Sequence, residues 1–288
     1  MARFSAFQLG LSKFGMVLAL GATTGGLSSR AWALDEYLPL APRVMEIDLG
    51  FERSAVNGYF DESWERVENV ADKNPSAMPI QGKFGLIDGL EGSMAVNFIT
   101  LDVDGKTGFD RPILGLKYAD TCLHLGGFLG IALPIGFEDV MNGGNYASMI
   151  FGAMYGLDLP YYRLLANISY TFNTEDEAEN KMDQLHFFAK PEYPLPIKAL
   201  TARKQYLGAY LGLNYDFYFN AVAASESVDT KKHLFSIMPG LNYTFNRIIS
   251  SELTVSYPLT GKNADDVTTV RLQVYFTLEE AIYNALGG

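Results

Sequence analysis

Residues 205–220 read QYLGAYLGLNYDFYFN, and the alternation in this stretch decides the fold. Leu207, Ala209, Leu211, Leu213, Tyr215, Phe217 and Phe219 share one parity. Tyr206, Gly208, Tyr210, Gly212, Asn214, Asp216 and Tyr218 share the other. Successive side chains of a strand point to opposite sides, so the segment has one greasy face and one hydrated face. The stretch near the C-terminus does the same, with Val270, Leu272, Val274, Phe276 and Leu278 against Arg271, Gln273, Tyr275 and Thr277.

Working outward, ten further segments carry the same period of two from Val44 onward. Met45, Ile47, Leu49 and Phe51 alternate with Glu46, Asp48, Gly50 and Glu52. Met94, Val96 and Phe98 alternate with Ser93, Ala95 and Asn97. The pattern predicts twelve antiparallel strands. Short links are expected at 87–89, 119–121, 158–160, 194–198 and 246–249. Longer ones are expected at 57–78, 103–108, 137–145, 173–182, 221–232 and 260–266. Short turns at one end and longer loops at the other are the rhythm of an outer-membrane barrel, and an even strand count places both termini at the short-turn, periplasmic end.

The composition agrees. Hydrophobic residues make up 48% of the chain and charged residues only 19%, which is too apolar for disorder. No stretch offers the ~20 consecutive apolar residues of a membrane helix. A soluble barrel turned the other way fails on volume, because ~8 strands already enclose what side chains can fill. Tyr118, Tyr155, Tyr170, Phe172, Tyr243, Phe245 and Tyr257 near strand ends resemble an aromatic girdle at a bilayer interface. Hydrocarbon leaves no water for an edge strand, so the first strand (44–56) should pair with the last (267–278).

The first residues read as an export address. Arg3 and Lys13 precede the apolar run Phe14–Ala22, and Ala31-Trp32-Ala33 offers the small-x-small cleavage pattern. The expected divisions are a signal peptide at 1–33, a periplasmic segment at 34–43, the barrel at 44–278 and a periplasmic tail at 279–288. Net charge is −11, and losing the three cations Arg3, Lys13 and Arg30 takes it to −14, which excludes nucleic acid as a partner. Cys122 is the single cysteine, and His124 and His186, both on the lumen parity, stand far from each other and from His233, so no thiolate metal site, cofactor or catalytic constellation is expected.

Three stretches resemble the outer-membrane "transporter" family named for the meta-pathway of phenol degradation. They are Val44–Ser54 (VMEIDLGFERS), Lys83–Asn97 (KFGLIDGLEGSMAVN) and Leu114–Gly136 (LGLKYADTCLHLGGFLGIALPIG). The resemblance covers the first half of the barrel and implies an outer-membrane protein that passes small compounds, apolar ones included. The family's Gly-Asp element before the Lys-Tyr strand stands here as Gly108-Phe109-Asp110, so phenol is not carried over as substrate.

The polar parity turns Glu46, Asp48, Glu52, Lys83, Glu91, Arg111, Lys117, Arg163, Lys190, Glu192, Asp216, Glu252 and Arg271 toward the lumen. Seven acids face six bases. They read either as salt bridges that stiffen the wall or as a selectivity ladder, and the balance favours the wall. In the first long loop, Asp61 as N-cap with Trp64, Val67 and Ala71 on one face predicts a short helix over the mouth. Acids also gather in that loop (Asp61, Glu62, Glu65, Glu68, Asp72) and in the fourth (Glu175, Asp176, Glu177, Glu179). Expected partners are outer-membrane lipid, barrel-insertion machinery at the aromatic-ended last strand (Tyr275-Phe276), and a small solute. The function predicted is a narrow passive channel in the outer membrane of a Gram-negative-type bacterium. A plugged structural or adhesion barrel is the alternative, and a barrel enzyme the weaker one.

Overall fold

The computed structural model describes residues 39–68, 74–100, 107–120, 122–135, 147–159, 161–174, 183–203, 205–219 and 231–279. The export segment with Ala31 and Ala33, the acids of the fourth loop and the tail from 280 onward lie outside them. In chain order the strands are β1 (Met45–Phe60), β2 (Arg66–Glu68), β3 (Ser76–Ile87), β4 (Leu90–Thr100), β5 (Thr107–Phe109), β6 (Ile113–Asp120) and β7 (Leu125–Ala132). They continue with β8 (Ser148–Leu159), β9 (Tyr162–Asn173), β10 (Asp183–Pro194), β11 (Tyr206–Phe219), β12 (Lys232–Thr244), β13 (Ile249–Lys262) and β14 (Ala264–Leu278). One short helix, α1 (Lys198–Ala202), lies between β10 and β11.

All pairings are antiparallel, and β14 returns to β1 from Met45↔Leu278 to Phe60↔Ala264, with a bulge at Val56/Gly58. The sheet is therefore a closed barrel of twelve wall strands. β2 is an extra ribbon on the rim, and β5 and β6 are two pieces of one wall strand, both paired to β4. That strand breaks at Asp110–Pro112, because proline has no N–H for the ladder. The Asp110 N–H still reaches the Asn97 carbonyl at 2.8 Å, and the Leu133 N–H reaches the Pro112 carbonyl at 2.9 Å.

Burial settles the two faces. Leu211 is 48% exposed and Asp216 only 5%, the inverse of a water-soluble protein. The exposed side chains around the wall are Leu, Ile, Met and Phe, among them Leu49, Phe51, Ile80, Leu114, Ile131 and Leu272. With every wall strand paired on both sides, no backbone edge faces the apolar surroundings. Both described ends lie together, since Met45 is opposite Leu278. At that end the turns are closed by short polar side chains. Asp120 Oδ1 accepts from the N–H groups of Cys122 and Leu123, Asn246 Oδ1 from those of Ile248 and Ile249, and Gly89 takes φ +77° between β3 and β4.

Four local expectations are corrected. The first loop forms no helix at its start: β2 folds back on Gly58–Phe60, and Asp61 Oδ1 closes a turn by accepting from the N–H groups of Ser63 (2.8 Å) and Glu65 (2.9 Å). An isolated helix of about three turns is marginal because nucleation is costly, whereas the ribbon continues a ladder already formed. The supposed long loop at 260–266 is a tight hairpin around Asn263, whose φ of 50° is tolerated by asparagine. The link at 194–198 runs on to Gln205 and contains α1. His124 lies in a turn at φ 56°, with its ring 6.4 Å from that of outward-facing Tyr155, and not on the lumen face.

Candidate functional site in the barrel lumen

The inward parity of each strand brings the charged side chains together in pairs. Lys83 Nζ lies 2.9 Å from both Glu46 and Asp48, and Lys117 Nζ lies 3.0 Å from Glu91. Arg271 donates from Nε and Nη2 to one oxygen of Glu52 at 3.0 and 2.9 Å. Asp216 accepts from Gln184 and Asn214 at 2.7 Å and pairs with His186 Nδ1 at 2.7 Å. Arg111, 1% exposed beside the break at Pro112, donates to Ser148 at 3.1 Å, and Ser148 donates on to Asn173 at 2.5 Å. Such charges are held off water only because each meets a partner.

Lys190 and Glu252 do more than pair neighbours. Lys190 on β10 donates to Glu252 on β13 at 2.8 Å, reaching past β11 and β12. Tyr210 on β11 donates to the other Glu252 oxygen at 2.5 Å, and the Lys190 ammonium stands 4.2 Å over the Tyr210 ring. This bridge runs inside the wall and shortens the free chord. Beside it lies a cavity of ≈ 100 Å³ lined by Lys83, His186, Tyr210, Glu252, Arg271 and Tyr275 among others, room for about three waters. The lumen is narrow here.

One sector of the inner wall breaks the alternation. Ile113, Phe128, Ala132, Ile150 and Met154 face inward and form a buried apolar cluster with Ala95 packed on it. Glycines on the next strand make room for the large members. An added Cβ on Gly152 would stand 2.5 Å from the Phe128 ring, and on Gly240 it would stand 2.7 Å from Tyr210 Cε2. The big side chains thus lie flat on neighbouring strands.

Of the thirteen lumen candidates, Arg163 is the most exposed. Its side chain is 45% exposed, bonds Asp158 at 3.0 Å, and has its guanidinium 4.8 Å above the Tyr206 ring, while Tyr206 donates to Glu192. At the short-turn end the chain before β1 turns inward. The Leu40 N–H donates to Glu91 at 2.9 Å, and the Arg43 N–H bonds the Gly85 carbonyl. The opposite rim carries the β1–β2 ribbon, tied by Arg66 to Asp266, with Trp64 5.3 Å from His233. Burial pushes the rim carboxyl of Asp265 up to about 6, partly offset by Lys232.

The neutral and aromatic residues that the polar parity turned inward, Asn97, Asn167, Gln184, Asn214, Gln273 and Tyr210, are buried among these charges. Sequence reasoning passed over Gln81, which strand parity would have found. It also passed over Asp110 and Asp266, which flank irregularities where parity is interrupted.

The fold is that of an outer-membrane-type antiparallel β-barrel, closed by the pairing of β1 with β14. Neither a family model nor a curated protein matches the sequence. Among solved structures, the chain resembles the COG4313 outer membrane channel from Pseudomonas putida F1, with a TM-score of 0.64 and 13% identity over 84% of this chain and 98% of that one. It also resembles the translocator domain of the autotransporter NalP from Neisseria meningitidis (TM-score 0.54, 10% identity, 90% and 98% covered). A third likeness is to the beta domain of the Bordetella autotransporter BrkA (TM-score 0.50, 10% identity, 82% and 100% covered). At these identities the likeness is one of fold.

Proposed function

We propose that this chain is a narrow passive channel of the outer membrane for small solutes, apolar ones included, and that it has no catalytic role. The observation that carries the reading is the mixed lining of the lumen. A paired sector around Lys83, Glu252 and Arg271 borders the cavity, while Phe128, Ile150 and Met154 pack against another part of the inner wall as a buried apolar cluster. The cavity's own lining mixes its charges with Leu165, Phe188 and Met238, which suits small amphipathic molecules better than a wide water column does. The sequence resemblance to the meta-pathway "transporter" family supports the same reading. On it, the charged pairs serve the wall first, and the short-turn end faces the periplasm.

The contact of Leu40 with Glu91 favours a second reading, a barrel held shut at the periplasmic end by its own N-terminal segment. Purified protein in planar bilayers separates the two. A channel gives small, discrete conductance steps and admits small solutes into liposomes. Silence in both assays supports the closed barrel and refutes the passive channel.

A further inference from the structure

We propose that the lumen cavity selects small organic anions over cations, with carboxylates of a few carbon atoms as the solute class. The inference rests on the channel reading and adds a sign to it. Charges nearly cancel along the whole wall, but they do not cancel at the cavity. Lys83, Lys190 and Arg271 line it from β3, β10 and β14, against one lining acid, Glu252. Glu46 and Asp48, which neutralise Lys83, and Glu52, which neutralises Arg271, contact their partners' nitrogens without lining the cavity. Their side chains are 11%, 0% and 4% exposed.

Arg271 is the more exposed member of its pair, 12% against 4% for Glu52, so that dipole has its positive end toward the solute path. A solute anion stands nearer the nitrogen than the recessed carboxylate, so the Coulomb contributions do not offset. The one lining acid is itself covered by donors, since Lys190 and Tyr210 take its two oxygens at 2.8 and 2.5 Å.

The rest of the lining narrows the solute class. Leu165, Phe188 and Met238 face the same cavity, giving a hydrocarbon tail a surface on which to lie. A volume of ≈ 100 Å³ gives room for a carboxylate of a few carbons.

Reversal potentials of the full barrel in planar bilayers test the proposal. Under a potassium chloride gradient, anions should permeate at least about three times better than potassium. With butyrate as the anion, the permeability ratio should stay above one; protonated butyric acid carries no current, so only the anion is read. Lys190→Gln and Arg271→Gln should each move the ratio toward one, while Lys190→Arg should keep it and show that the barrel tolerates change at this position. Conductance with a ratio near one, or with cation preference, overturns the inference and leaves the channel reading standing. A ratio unmoved in both Gln variants overturns the assignment to this cavity. A butyrate permeability below about a tenth of that of chloride overturns the solute class. Silence of the parent protein overturns the channel reading and the inference together.

Discussion

Replacing Gly240 by alanine is the sharpest test of how the lumen wall is packed. Gly240 on β12 lies opposite Tyr210 on β11, and the tyrosine ring lies across the space where a Cβ would be. Cε2 would stand 2.7 Å from that carbon, with Cζ and the hydroxyl nearer still, against an ordinary contact of 3.4 Å or more. The ring edge must therefore retreat by roughly 0.7 Å and the hydroxyl by more. The hydroxyl sits 2.5 Å from Glu252, so the movement breaks a hydrogen bond to a charged group, costing ~1.5–3 kcal/mol. Overpacking adds ~1–3 kcal/mol. With an m-value of ~2 kcal/mol/M in urea, the unfolding midpoint should fall by ~1–3 M.

Trp64 is the single tryptophan after residue 33, so in protein expressed without residues 1–33 its fluorescence reports unfolding from lipid vesicles. The displaced ring should also enter the cavity and lower any conductance. Tyr210→Ser alone should destabilise, and adding Gly240→Ala to it should cost nothing further, because the clash has no second party. An unchanged midpoint in Gly240→Ala, or an undiminished alanine penalty in the Tyr210→Ser background, would refute the reasoning.

Three other outcomes are expected. Lys190→Met and Glu252→Leu should each destabilise the barrel, while the double variant should cost less than their sum, with a coupling of ~1–3 kcal/mol in a urea-unfolding cycle; strict additivity contradicts the bridge. Asp265 has its folded-state pKa raised to about 6 from 3.8, so the native state favours the protonated acid. Its cost is absent below pH ~4, grows as pH rises to ~6 and then stays constant. Asp265→Asn should accordingly raise the unfolding free energy at pH 7.5, by ~1–3 kcal/mol, and leave it unchanged at pH 3.5. An added Cβ at Gly85 would stand 2.7 Å from the Leu40 carbonyl oxygen, so Gly85→Ala should push that segment aside and speed tryptic cleavage at Arg43. Equal cleavage rates would show that the segment is not held there.

The barrel was legible in the chain because alternation is a property of each strand taken alone. A residue's parity decides whether it meets lipid or water, so Asp216 and Leu211 could be assigned to opposite faces without any partner. Parity also named the wall charges. It was misleading where the backbone departs from a regular strand, as at the turn holding His124 and at the ribbon after Asp61. Parity puts Phe128 and Ile150 on the inner side, but that they meet in one apolar cluster depends on the pairing of β7 with β8.

Strand number, closure and the inside-out distribution of polarity follow from local periodicity, together with the physical requirement that no edge be left in hydrocarbon. The sign of the cavity does not. It depends on Arg271 meeting Glu52 across the closing seam, on Lys190 reaching past two strands to Glu252, and on which member of each pair stands nearer the solute. Those are distances between residues far apart in the chain. Charge counting along the sequence sums both members of a pair to zero, whereas a solute in the lumen responds to the nearer one.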